Sequence, residues 1–388
     1  MKMESKKEIA DEQITVPEQE LQFAHSPKYT LGVEIEFQTL DMATWDLTPM
    51  APVLLANAPQ LLRPRLSPEF IQSILEIQTG VCFSLVDVEN DLMQTISLAE
   101  ELSADNNCML FSASLHPFAR YRDQLLTTSE RYERIMQELQ LIGRRFISQG
   151  FHVHVGLPDA DTLIRVCNRI QAYLPVLLAL STSSPYSQGE DTGLMSYRTK
   201  LFEVLPLAGI FAHIPNWKAF SKQIRELQSV GVINSIQDLW WDARPNLDFG
   251  TIEIRICDLP TRFSDILGIT AVIQALVATL AEDKKSYPPL DPYIIQANKW
   301  QAARHGLRGT YVDPTHMPAA ERISYHEAVE DILKYIEPMV IRLGAELYRD
   351  YIYRILKHGT GSDFLRRRYR ETGDLQKVVQ SLQSEFWQ

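Results

Sequence analysis

The sequence predicts an α+β fold held in one domain, on three observations. Short alternating runs that suit strands fall in the first two-thirds of the 388 residues. After Pro260 the apolar spacing turns helical almost without interruption. No internal repeat, low-complexity block or Pro/Gly/Ser-rich linker separates the two regions.

The elements follow in chain order. Residues 1–26 are polar and aperiodic, which predicts a flexible tail and leaves 27–388 as a single domain with a helical C-terminal region. Strands are expected at 29–40, 71–77, 109–115, 151–156 and 251–257, where apolar and polar residues alternate between turn signals. Helices are expected at 87–105, 130–148, 161–180 and 217–230 from their 3.6-residue apolar spacing. Beyond Pro260 helices are expected at 264–282, 291–304, 319–357 with a break near Pro338, and 373–386.

Composition narrows the function. The formal net charge is −11, so the dense basic face that non-specific nucleic-acid binding needs is not expected. The Arg366-Arg367-Arg368 run reads as a solvated helix face. The four cysteines, Cys82, Cys108, Cys167 and Cys257, form no Cys-x-x-Cys pair, which suits buried thiols in a reducing compartment. The N-terminus lacks the apolar core of a signal peptide, and no run of about 18 uninterrupted apolar residues occurs. A cytoplasmic protein that contacts neither membrane nor nucleic acid is therefore the expectation.

Three strand candidates each place two chemical side chains two residues apart: Glu34/Glu36, His152/His154 and Glu253/Arg255. Side chains alternate across a strand, so each pair shares a face, and Ile35, Val153 and Ile254 point to the other. Burying several ionised carboxylates together is costly, so that face is either open to water or holds divalent cations. Hard carboxylate oxygens joined by histidine suit Mg²⁺ or Mn²⁺. An arginine on that face makes sense if a phosphate lies there too. Glu76, in the strand candidate 71–77, belongs to the same set. No Gly-x-x-x-x-Gly-Lys-Ser/Thr loop or Gly-x-Gly-x-x-Gly turn is present, so any nucleotide must be held by metals and arginines.

In this order, LGVEIEF (31–37), SILEIQTGVC (73–82), HPF (116–118), ERY (130–132), HVHVG (152–156), LPVLLALSTSSPYSQGEDTG (174–193), WWDARP (240–245) and GTIEIRICD (250–258) resemble the type 2 glutamate–cysteine ligases, the YbdK-like carboxylate–amine ligases of the glutamine synthetase-like superfamily. The resemblance implies a curved antiparallel sheet with the active site on its concave face and helices packed outside. It also implies ATP and Mg²⁺ or Mn²⁺ as cofactors. Glutamate and an amino acid or amine would be the small-molecule substrates, and the chain is expected to form a homo-oligomer. It makes Glu34, Glu36, Glu76, His152 and Glu253 metal ligands. Arg255, Arg198 and His154 become catalytic groups near the phosphoryl group or amino acid. Trp241, Arg244 and His116 become substrate contacts.

Where that family has a Gly-rich strand end and Thr-His-Pro-Phe, this chain reads Ser112-Ala113-Ser114-Leu115 before His116, which is expected to reshape the amine pocket. Tyr197-Arg198 is followed by Thr199 where the family has proline. Three competing readings stand beside the ligase: the same chemistry with another amine, a non-catalytic nucleotide- or metal-binding protein on the same scaffold, and a metal hydrolase built on His152 and His154. The last leaves Arg255 unexplained.

Overall fold

The computed structural model describes residues 20–388, so residues 1–19 of the expected tail lie outside the described residues. From Leu21 the chain is already held. Leu21 and Phe23 pack on the core, Phe23 meets Trp217 edge-on, and the Ala24 amide donates to Leu247 O at 2.9 Å. These contacts fall within the segment 1–26 expected as a tail, where two apolar side chains dock the chain on the core.

Among the described residues, eleven strands form three sheets. They are β1 (Leu31–Asp41), β2 (Leu66–Pro68), β3 (Ile74–Gln78), β4 (Cys108–Phe111), β5 (Phe151–Gly156), β6 (Tyr186–Ser187), β7 (Glu190–Asp191), β8 (Ala243–Asn246), β9 (Thr251–Ile254), β10 (Thr310–Val312) and β11 (Arg322–Ser324). The main sheet runs β2-β3-β1-β5-β9-β8, with β4 also pairing with β1, and every pairing in it is antiparallel. The remaining strands form two small ribbons, β6-β7 and β10-β11.

Alternation decides which way β1 faces. Val33, Ile35 and Phe37 are buried while Glu34 and Glu36 are half-buried. Ile35, Val153 and Ile254 are all fully buried, on the face expected for them. That face packs on the helices Leu85–Asp105, Ala160–Ile170 and Phe263–Glu282, and the last is buried along nearly its whole length because Tyr325–Leu343 and Arg349–His358 also pack against it. Its length and composition would suit a membrane span, but an apolar surface all round is also what a central core helix requires. One hydrophobic cluster extends from β1 into these C-terminal helices.

Several expected elements differ, each for a local reason. The strand expected at 109–115 stops at Phe111, because Ser112 Oγ donates to Pro260 O and Ser114 Oγ to Gln149 O. The strand expected at 251–257 stops at Ile254, where the Arg255 and Ile256 amides both turn to Asp242 O. The single helix expected at 161–180 is two, Ala160–Ile170 and Leu174–Ser181, bent by 66°. The helix expected at 130–148 breaks at Gln140 (φ 49°) into Glu130–Leu139 and Leu141–Arg144. Pro338 does not break its helix. Tyr325–Leu343 runs through it, with Ile336, Met339 and Val340 buried on either side, and ends at Gly344 in the left-handed conformation. Strand β8 escaped prediction because Pro245 argues against a ladder position; it is tolerated because β8 is an edge.

Candidate active site

Strand register assembles the site. Glu36 lies opposite Glu76 across β1 and β3, Glu34 opposite His152 across β1 and β5, and His154 opposite Glu253 across β5 and β9. Arg244 completes the row opposite Glu253 across β9 and β8. All line one cleft of about 420 Å³, together with Arg255. Aromatic side chains close the rest of it, including Phe70, Phe146, Phe202, Trp240 and Phe249.

The charges pair unevenly across the row. Glu253 is almost fully buried and takes a fork of hydrogen bonds from Arg244: Nε to Oε2 at 3.1 Å, Nη2 to Oε2 at 2.9 Å and Nη2 to Oε1 at 3.2 Å. Arg255 also pairs with Glu253. Burial would raise the Glu253 carboxyl, but the two guanidinium groups and the histidines outweigh it and hold it at about 2. Arg255 is therefore not free of its strand neighbour, as the assignment of Glu253 to metal alone would have left it.

Glu34 sits between the histidines, with His152 Nδ1 at 3.3 Å from Oε2 and His154 Nε2 at 3.2 Å from Oε1. Burial pushes its carboxyl up, yet the histidine hydrogen bonds and charges bring it well below the usual range. Burial likewise pushes His154 down, but Glu34 and Glu253 leave it raised, with Nδ1 at 3.0 Å from Thr251 Oγ1. His152 is lowered, first by burial and then by the Arg255 charge. The other end of the row lacks such counter-charge. Burial and the charge of Glu36 push Glu69 up to about 8, and burial with Glu69, Glu34 and Glu36 raises Glu76 well above the usual range.

Two groups of donors lie close enough to share an ion, with ligand atoms within 4.8 Å: Glu34, His154 and Glu253, and Glu36, Glu69 and Glu76. The second group suits a divalent cation better than the first, where Glu253 is already compensated by Arg244 and Arg255. The second is three carboxylates held against one another with too little positive charge nearby, and Nε2 of His152, 4.0 Å from Glu36 Oε1, is buried with no hydrogen-bond partner. Glu69 was not singled out from the sequence. It follows the three-residue strand β2, and the only signal for it was its nearness in sequence to Glu76.

Glycine at 150 is dictated by the site: a Cβ there would lie 2.5 Å from His152 Nε2 and 2.8 Å from Arg198 Nη2. The Gly150 amide donates to Glu36 Oε2 at 2.6 Å, fixing that carboxylate.

Three expected site residues stand elsewhere. His116 is buried outside the cleft: Nε2 meets Trp45 O at 2.9 Å and Nδ1 accepts the Ala119 amide at 3.0 Å, so it shapes the loop after β4. Trp241 packs edge-on against Phe211 at 4.9 Å in the core; its neighbour Trp240 lines the cleft instead. Arg198 is buried behind the cleft, its guanidinium on the carbonyls of Arg255 (3.3 Å) and Ile256 (3.4 Å) and over the Phe202 ring. It supports Arg255 and does not line the cavity. Ser112 to Leu115, expected to reshape the amine pocket, do not line this cleft.

The profile of glutamate–cysteine ligase family 2 matches residues 30–381. A Gloeobacter violaceus protein named "Putative glutamate--cysteine ligase 2" is 38% identical over 367 residues, covering 93% of this chain and 98% of its own. A Solibacter usitatus protein of the same name is 36% identical over 360 residues, covering 91% and 92%. Among solved structures, the Francisella tularensis glutamate–cysteine ligase in complex with AMP superposes with a TM-score of 0.66 at 13% identity, over 94% of this chain and 90% of that one. The Pasteurella multocida bifunctional glutathione synthetase gives 0.65 at 15% identity, over 92% of this chain and 52% of that one. Both structures share this chain's fold.

Proposed function

Because the chain belongs to glutamate–cysteine ligase family 2, and so is an ATP-dependent carboxylate–amine ligase, we propose that its cleft joins the γ-carboxylate of glutamate to the amine of cysteine. The observation that carries the reading is the row of carboxylates, histidines and arginines that strand register places on one sheet face. Glu34, His154 and Glu253 would hold one divalent cation, Mg²⁺ or Mn²⁺, and Glu36, Glu69 and Glu76 a second. Bound there, such cations neutralise phosphate charge and polarise the phosphoryl oxygens.

The chain's own residues do the rest. Arg255, at the cleft wall beside Glu253, supplies positive charge to the phosphoryl group as it passes from ATP to the γ-carboxylate. The product of that step is γ-glutamyl phosphate and ADP. The amine then attacks the acyl carbon, the C–O bond to phosphate breaks, and the amide forms with loss of the amine proton. Arg244 keeps Glu253 ionised and aimed at the row. The aromatic wall of Phe146, Phe202, Trp240 and Phe249 keeps water from the acyl-phosphate. Cysteine is favoured because the residues that differ from the family pattern, Ser112 to Leu115, lie outside the cleft.

The test is a screen of amino acids and amines for stimulated phosphate release from ATP with glutamate present, with mass spectrometry of the glutamyl adduct. Efficient γ-glutamylcysteine formation at low cysteine supports the proposal. Another amine used in preference overturns the cysteine assignment. No adduct with any amine, alongside normal ATP binding, favours a binding protein.

A further inference from the structure

Arg255 sits on a peptide that two outer segments grip. Its amide and that of Ile256 donate to Asp242 O, at 2.9 and 3.1 Å, and its carbonyl receives the buried Arg198 guanidinium at 3.3 Å. The helix Pro292–His305 braces both grips. Ala303 O accepts the amides of Met195 and Ser196, just before Arg198, at 2.8 and 3.0 Å. On the same helix, Lys299 is 3% exposed and its Nζ lies 2.6 Å from Asp242 Oδ2 and 3.4 Å from Glu203 Oε1. Lys200 balances the second carboxylate, its Nζ 2.7 Å from Glu203 Oε2, so two lysines face two acids.

The carboxylates that Lys299 joins belong to two cleft walls. Glu203 lies between Phe202 and Leu205, which line the cleft, and Asp242 lies two residues from Trp240 and Arg244, which line it as well. Main-chain bonds stitch the walls through Gly209: its amide donates to Trp240 O at 3.1 Å and its carbonyl accepts the Asp242 amide at 2.8 Å. A buried ammonium held by two carboxylates fixes geometry more surely than it adds stability, because its desolvation offsets much of the attraction.

We infer that Lys299 is a positioning residue for the reaction, setting the Trp240–Arg244 wall and the peptide of Arg255 from outside the cleft. It touches neither substrate nor phosphate. The inference rests on the sheet-face cleft being the reaction site.

The experiment compares full-length wild type with Lys299→Met, Asp242→Asn and the double variant. The readouts are kcat and KM for ATP per folded molecule, melting temperature, and amide hydrogen exchange at Asp242, Arg255 and Ile256. Lys299→Met and Asp242→Asn should each lower kcat about 10-fold or more, with KM for ATP unmoved, since small misplacements of a reacting group are costly. Both should speed exchange at those three amides and leave the Phe263–Glu282 helix protected. The double variant, with no buried charge unpaired, should regain melting temperature but not kcat. Recovery of kcat together with melting temperature, or wild-type exchange in Asp242→Asn, would overturn the inference. If Lys299→Met does not fold, Asp242→Asn carries the same test, and wild-type kcat in it overturns the inference. Absence of turnover in the wild type with every amine would count against the ligase proposal, while the exchange comparison still decides the role of Lys299.

Discussion

Acidification should unfold this protein partly through one histidine that the chemistry does not use. His116 is 1% exposed, accepts the Ala119 amide at Nδ1, and donates from Nε2 to Trp45 O. No acid partners it among the described residues, and burial lowers it from 6.5 to about 3. In the unfolded chain the same imidazole titrates at its ordinary 6.5. Below that pH the unfolded state takes up a proton that the folded state refuses, so stability is full above 6.5 and falls as pH drops towards 3. The loss grows with each pH unit below 6.5, reaching roughly 1 kcal/mol at pH 5.5 and several kcal/mol at the lower limit. Urea unfolding at pH 7.5 and 5.5, with chelator present, measures the change for wild type and for His116→Asn. Subtracting the two removes every other titrating group. Wild type should lose roughly 1 kcal/mol more than the variant over that interval. Parallel pH dependence would refute the argument, and so would an imidazole found protonated at pH 5 by NMR.

Other substitutions separate the cleft from its supports. Arg255→Lys keeps the charge and loses the fork, so turnover should fall roughly 100-fold with little change in melting temperature; large destabilisation with normal turnover would make Arg255 an ion-pair partner alone. Trp241→Phe should cost about 1–2 kcal/mol of stability and leave KM unmoved, whereas Trp240→Ala should raise KM with the fold intact; the reverse pattern in kinetics and melting would reassign the two. Ser114→Gly removes the hydroxyl between Gln149 O and the Leu259 amide, so it should cost about 1 kcal/mol and not alter amine preference; a switch of amine in the substrate screen would return that segment to the pocket.

How much of this was legible depended on which rule governed each residue. Period-two alternation is a local rule, and it placed Glu34, Glu36, His152, His154 and Glu253 on one face before any partner strand was known. Glu69 and Arg244 depend on pairing between strands: one follows the short β2 and the other sits on an edge strand beside Pro245, so neither leaves a periodic trace, and Arg244 was expected only through the family resemblance. Trp240 and Trp241 differ by one residue in a segment that is not a regular strand, so sequence could not say which enters the cleft. His116 and Arg198 were expected at the site from the family resemblance, but tertiary hydrogen bonds to main-chain carbonyls hold both. Helix ends went wrong where side chains or tertiary packing overrode propensity, as at Gln140 and through Pro338.

The central claim is that the sheet face is a cation-loaded phosphoryl-transfer site, and direct counting of bound Mn²⁺ tests it. Mn²⁺ titration with ATP present, followed by electron paramagnetic resonance, should give two protein-dependent ions per chain. Glu69→Gln should weaken the one held with Glu36 and Glu76, and Glu253→Gln the one held with Glu34 and His154. Wild-type stoichiometry and affinity in both variants would contradict the account.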